Sequence, residues 1–368
     1  MKTIKPNRGP AGKKPVKILF LSYVYPPKTI GGIQTYMRDL AAHVAAQNPS
    51  TYTLINPGGY AFLVLFIPYS IFKAVRLIRR HGITHLHAAS GPHCFQALLL
   101  KKLTGVKATI TIHGLDIMIE TLWPDRIIAR FVSRLDRVFC VSNATRRECE
   151  RRGVPPEKCT VIFNGVDPGI FPLRSPRGEL RAELAGALGL PLAGRRILLS
   201  NGRLVRRKGV EWFIRSVVPS LDRRTLFIVS GDGPEREAVA AAVAECGVSD
   251  RVVLLGRTSD ELLRLLYNTA DYFIMPNISE PGNMEGFGLV ILEAASCGAT
   301  VIASDIEGIS DAVVHGVTGW LVPERDAGAF ARHVAKPPLP PAKVVEAVRK
   351  RFDWRVIASQ YLDGMRNA

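Results

Sequence analysis

The sequence predicts an α/β protein built of two doubly wound halves, and three observations lead there. Its 368 residues exceed the size at which a single hydrophobic core stops growing, so two domains are expected. Short apolar runs of strand length alternate with helical spacings, the pattern of parallel sheets covered on both faces. Several of these runs end in Gly-containing turns that lead straight into a helix.

Residues 16–24 form the first run, continuous and apolar like a central parallel strand. A turn containing Pro26, Pro27, Gly31 and Gly32 follows, and residues 33–46 have helical apolar spacing. A glycine pair opening a helix serves either tight packing or an anion site. Residues 60–72 are almost wholly apolar and lead into Lys73, Arg76, Arg79 and Arg80. Interrupted by Pro68, that segment falls short of the roughly 20 residues that span a bilayer. It is either a buried helix or one that dips into one leaflet beside its basic extension.

Further strands are expected at 83–88, which carries His85 and His87, at 107–113, at 137–142 and at 159–163. Residues 168–195, rich in Pro, Gly and Arg with a helical pattern over 179–188, read as a linker. A second series begins at 196–200, with strands near 226–230, 252–255, 272–275, 300–303 and 320–322 and helices including 235–246 and 259–270. A proline-rich break at 336–341 precedes a last helix at 354–365.

Composition narrows the class. With 47% hydrophobic and 22% charged residues the chain is globular, not disordered. Residues 1–174 hold 25 Lys and Arg against 9 Asp and Glu, a net of +16, whereas the remainder holds 24 against 23, a net of +1. The first half is therefore a cationic surface suited to anionic lipid, an acidic substrate or nucleic acid. No helix-turn-helix, zinc-finger or aromatic-basic RNA-binding pattern is present, which makes nucleic acid the least supported partner. The six cysteines form no Cys-x-x-Cys pair and read as free thiols of a reducing compartment. Residues 1–15 are basic without an apolar core, so they read as a flexible tail and not as a secretory signal.

The most informative stretch is 283–298, with Glu285 and Glu293 eight residues apart. Gly286 and Gly288 disfavour helix while 289–296 favours it, so Glu285 is expected in a loop and Glu293 about one turn into a helix. The N–H groups of Phe287, Gly288 and Leu289 then sit at a helix N-terminus that suits a phosphate, and Glu293 is placed to accept from ribose hydroxyls. Gly202, Arg203 and Lys208 lie in a Gly-flanked loop between a strand and a helix, which hangs both cations over the edge of the sheet. Gly231-Asp-Gly-Pro234 and Gly256-Arg257 are turns after strands, and His113-Gly-Leu-Asp116 is another.

In order, these motifs resemble those of retaining family-4 glycosyltransferases. The Glu285-to-Glu293 block resembles their Glu-x7-Glu signature, His113 to Asp116 their His-Gly-x-Asp turn, and Asn164-Gly-Val-Asp167 the end of their first domain. The resemblance covers nearly all of the chain after about residue 16. It implies the GT-B arrangement: a first Rossmann-like domain over 16–172, a second over 173–352 that binds the nucleotide sugar, a helix at 353–368 returning to the first, and a cleft between.

By the same resemblance, Gly31 and Gly32 approach the donor diphosphate, Arg203 and Lys208 neutralise it, and Glu285 holds sugar hydroxyls. Glu293 takes the ribose, Arg257 falls near the base, and His113 faces the sugar and its developing charge. The donor is a UDP- or GDP-sugar and the acceptor a glycan or a lipid-linked hydroxyl. No Asp-x-Asp pair occurs, so a metal-held diphosphate is disfavoured and no metal is expected. The free thiols and the lack of a secretory signal lead to the expectation of a cytoplasmic enzyme, and the basic first half with the apolar run at 60–72 to attachment at the inner membrane face as the alternative. Ile306 to Asp311 replaces a more usual Gly-Gly-x-x-Glu turn, with no consequence foreseen for donor chemistry.

The rivals are a GT-B epimerase or hydrolase acting on a nucleotide sugar without an acceptor, and a catalytically silent membrane scaffold. A Rossmann dehydrogenase is excluded, because no Gly-x-Gly-x-x-Gly follows the first strand with an acid about 20 residues on.

Overall fold

A computed structural model describes residues 16–23, 32–56, 63–118 and 126–368. The expected tail over 1–15, Gly31 with the turn before it, and the start of the apolar segment at 60–62 lie outside the described residues. The chain divides into two compact units, one ending at Gly165 and resuming at Trp354, the other running from Val166 to Asp353.

The first unit carries strands β1 (Ile18–Tyr23), β2 (Thr51–Asn56), β3 (His85–Ala88), β4 (Lys107–Ile112), β5 (Arg137–Cys140) and β6 (Cys159–Val161). Helices α1 (Gly32–Gln47), α2 (Leu63–His81), α3 (Cys94–Thr104), α4 (Ile127–Val132) and α5 (Asn143–Arg151) connect them. All six strands are parallel, in the order β2-β1-β3-β4-β5-β6. Strand β2 escaped the sequence reading because Thr51-Tyr-Thr-Leu-Ile-Asn56 alternates polar and apolar residues at an edge instead of forming a buried run.

Helix α2 continues through Pro68, which sits in its second turn and forfeits a single helical hydrogen bond. Ala74 and Ile78 face the core, whereas Tyr69 and Phe72 are 57% and 68% exposed, so this segment is not wholly core.

The second unit carries β7 (Arg196–Asn201), β8 (Thr225–Ser230), β9 (Val252–Gly256), β10 (Tyr272–Met275), β11 (Thr300–Ser304) and β12 (Gly319–Val322), all parallel, in the order β12-β11-β10-β7-β8-β9. Its helices are α6 (Arg177–Leu188), α7 (Val210–Ser216), α8 (Arg236–Glu245), α9 (Asp260–Thr269), α10 (Leu289–Ser296), α11 (Ile309–Ala312), α12 (Ala327–Ala335) and α13 (Pro341–Phe352). The stretch expected as a linker is instead folded into this unit. Leu180 and Leu184 of α6 are buried, the helix packs on α9, and Arg181 reaches Asp271 at 2.6 Å.

Helix α14 (Trp354–Arg366) belongs to the first unit. Its Trp354, Ile357, Tyr361 and Met365 share one buried cluster with Ile18, Phe20, Tyr36 and Leu40. The Tyr361 hydroxyl bonds to that of Tyr36 and lies 3.1 Å from Thr111 Oγ1, which is 3.0 Å from His87 Nε2. Burial holds His87 far down, at about 3, so it is a neutral member of this internal network.

Candidate active site

In the second sheet the strand order reverses between β7 and β10, and in open parallel sheets that switch point is where ligands are received at the carboxyl ends. The loops after β7 and β10 carry the acids and cations singled out above. They are laced together: Ile278 N–H donates to the Arg207 carbonyl at 2.8 Å. Gly209 has φ +65°, and a Cβ there would run into the Pro276 carbonyl, so only glycine fits this approach.

Glu285 lies in the loop after β10. Its Oε2 accepts from Lys208 Nζ at 2.6 Å, from Arg207 Nη1 and from Asn277 Nδ2 at 3.3 Å. Burial pushes the carboxyl up, but the charges of Lys208 and Arg207 outweigh it and hold it at about 2. Lys208 and Glu285 are thus brought together with Arg207, which the sequence reading does not single out, while Arg203 is exposed. A single 3-10 turn, Arg206–Lys208, presents Arg207 and Lys208 to the loop after β10. The run of three cations in the sequence was the only hint of Arg207.

Phe287, Gly288 and Leu289 lead into α10 as expected, with Gly288 at the cap in a left-handed conformation (φ 89°). Phe287 is buried, its ring 6.0 Å from that of Phe352. Glu293 is the fifth residue of α10, one turn in. Its Oε2 accepts from the Tyr267 hydroxyl at 2.9 Å, and that hydroxyl accepts from Asn201 Nδ2 at 2.8 Å. Tyr267 gave no signal in the sequence, because an aromatic on the apolar face of α9 reads as core. Gly202 follows β7 beside Asn201, and Arg257 is exposed after β9.

The turn over 306–311 touches the Glu285 loop directly. The Glu307 carboxylate accepts the backbone N–H of Glu285, which ties the turn to the acid in the next loop. Burial raises the Glu307 carboxyl, the bond from Glu285 N–H works against that rise, and the negative charge of Glu285 adds to it.

His113 is in the first unit, after β4. Its backbone N–H donates to Asp116 Oδ1 at 2.8 Å, and Asp116 Oδ2 accepts from Gly91 N–H at 2.9 Å. His113 Nε2 lies 3.0 Å from the Ala89 carbonyl, which can only accept, so Nε2 carries the proton. Burial holds the imidazole low despite Asp116 and Ala89, so the ring is neutral with Nδ1 as its acceptor. Gly32 opens α1. Among the described residues no group of three or more His, Cys, Asp or Glu side chains is placed to hold a metal ion.

Comparison with known proteins identifies a family domain in each half of the chain. The description "Glycosyltransferase Family 4" matches residues 30–169 and "Glycosyl transferases group 1" matches residues 195–336. An N-acetyl-alpha-D-glucosaminyl L-malate synthase of Bacillus anthracis is 30% identical over 77% of this chain and 75% of its own. The chain belongs to the family-4 glycosyltransferases. Within this family it is also 27% identical, over 95% of the chain and 98% of the relative, to a GDP-mannose-dependent alpha-(1-6)-phosphatidylinositol monomannoside mannosyltransferase of Mycobacterium tuberculosis.

The crystal structure of Anabaena HepE in complex with UDP covers 96% of this glycosyltransferase and 100% of its own chain, with a TM-score of 0.78 at 20% identity. Its likeness shows the fold, that of the GT-B class with two six-stranded parallel sheets.

Proposed function

We propose that this glycosyltransferase moves a hexosyl group from a UDP- or GDP-sugar to an acceptor hydroxyl with retention of configuration and without a metal. The observation that carries the reading is the pairing of Arg207 and Lys208 with Glu285 at the switch point of the second sheet. Preorganised cations beside a helix N-terminus are suited to a departing diphosphate. The bond from the anomeric carbon to the phosphate oxygen breaks and its electron pair leaves with the diphosphate. The acceptor oxygen bonds to that carbon on the same face, and its proton passes to a diphosphate oxygen.

Glu285, ionised down to about 2, serves as acceptor for sugar hydroxyls and not as a proton donor. Glu293 takes the ribose hydroxyls, with Tyr267 fixing its carboxylate. Neutral His113 offers Nδ1 to a sugar hydroxyl. Arg203, Arg257, Gly202, Gly31 and Gly32 complete the proposed donor contacts.

The acceptor is proposed to be glycan or lipid-linked, presented at an anionic membrane face. Support comes from α2, where exposed Tyr69 and Phe72 stand beside exposed Lys73, Arg76, Arg79 and Arg80. A phosphatidylinositol-mannoside acceptor in the name of the mycobacterial relative points the same way. No helix among the described residues is long and apolar enough to cross a membrane.

Screening UDP- and GDP-sugars for thermal stabilisation tests the donor assignment. The true donor at 100 times its dissociation constant adds about 2.7 kcal/mol. No shift with either class would overturn it.

A further inference from the structure

Glu307 is one of three non-glycine residues with positive φ in the described chain, at +50°. Such a conformation is strained for a residue with a side chain and persists only where the surroundings impose it. The reason for holding glutamate here is visible in its contacts. Its carboxylate accepts the backbone N–H of Glu285, and the next residue, Gly308, donates its own N–H to the Glu285 carbonyl at 3.1 Å.

Both backbone polar groups of Glu285 are therefore bracketed by one dipeptide at the end of β11, while its side chain is held by Arg207, Lys208 and Asn277. Gly308 is equally committed. A Cβ on it would strike the Gly286 carbonyl, so the turn can come this close only with glycine there.

We propose that Glu307 is a positioning residue that fixes the Glu285 loop for sugar transfer, its strained backbone being what brings the carboxylate onto the Glu285 amide. This rests on the role given to Glu285 above. Glycine at 307 would relieve the strain and keep the turn, but would leave the Glu285 amide without its acceptor. Glutamine would keep an acceptor oxygen in the same place.

The test compares Glu307→Gly and Glu307→Gln by melting temperature, by amide hydrogen exchange of the peptide containing Glu285, and by turnover of UDP-glucose and GDP-mannose. With E307G the melting point should hold or rise, while the Glu285 peptide exchanges about tenfold faster or more. Turnover of whichever donor the wild type uses should fall about tenfold or more at little-changed KM, as for a displaced catalytic group. E307Q should restore both protection and most of the turnover.

Wild-type exchange in E307G overturns the proposal, whatever the activity. So does an E307Q protein as fast-exchanging as E307G, or a loss of turnover in E307G that only follows a fall in melting temperature. If the wild type turns over neither donor, the donor assignment fails while the exchange comparison still decides the role of Glu307.

Discussion

Lys208 Nζ lies 2.6 Å from Glu285 Oε2, so a cation assigned to the leaving diphosphate and a carboxylate assigned to the sugar neutralise each other in this structure. A bound diphosphate would compete for that cation. Lys208→Ala should lower turnover roughly 100-fold or more, as loss of one preorganised charge donor does. Steady-state kinetics with near-normal turnover would refute the assignment.

The same pair has a pH signature. The Glu285 carboxyl is depressed from its ordinary 4.5 to about 2, so it contributes stability above the unfolded value and loses that contribution as pH falls through the folded one. The stability difference between wild type and Glu285→Gln should therefore be largest above about pH 5 and shrink below the ordinary carboxylate range. Urea unfolding of both proteins from about pH 6 to about pH 3 would show it. A difference independent of pH would count against the pairing.

Tyr267→Phe removes the donor to Glu293 and leaves Asn201 Nδ2 without that acceptor. A hydrogen bond to a charged group is worth about 1.5–3 kcal/mol, so nucleoside diphosphate affinity should drop about tenfold or more. Calorimetric titration with UDP and GDP checks this. Unchanged affinity for both would separate Glu293 from ribose binding.

If the cations of the second unit carry the charge of the leaving group, transfer should persist in excess EDTA. Activity lost on chelation and restored by manganese or magnesium would refute metal independence.

Exposed Tyr69 and Phe72, flanked by Arg76, Arg79 and Arg80, should bring the protein to vesicles containing anionic lipid. Each basic side chain near such a surface contributes about 1 kcal/mol. Flotation should weaken with salt and fall when the three arginines are changed to glutamate. Failure of the wild type to bind at low salt would leave a soluble acceptor as the better reading.

The strands of both sheets were largely legible because buried parallel strands are continuous apolar runs; β2, at an edge and alternating, was not. The Glu285 loop and the start of α10 were legible from glycine placement. What sequence could not convey was which loops touch. Arg207 meets Glu285 from a 3-10 turn, Tyr267 acts from the buried side of α9, and Glu307 reaches Glu285 across 22 positions of chain. Pro, Gly and Arg after 168 mark a linker in sequence, and although the helical pattern at 179–188 is visible, its packing on the second unit through Leu180 and Leu184 is not.

The return of α14 to the first unit orders events during synthesis. Val166 and Asp353 pair side by side, with Val166 N–H bonded to the Phe352 carbonyl at 2.8 Å, so the second unit is an uninterrupted segment whose ends meet. It can close its core from its own residues alone. The first unit, though its strands are made earlier, cannot complete the cluster of Ile18, Phe20 and Tyr36 without Trp354, Ile357, Tyr361 and Met365, which are made after the whole of the second unit. The half whose strands are translated first thus depends for its core on a helix that is translated after the other half.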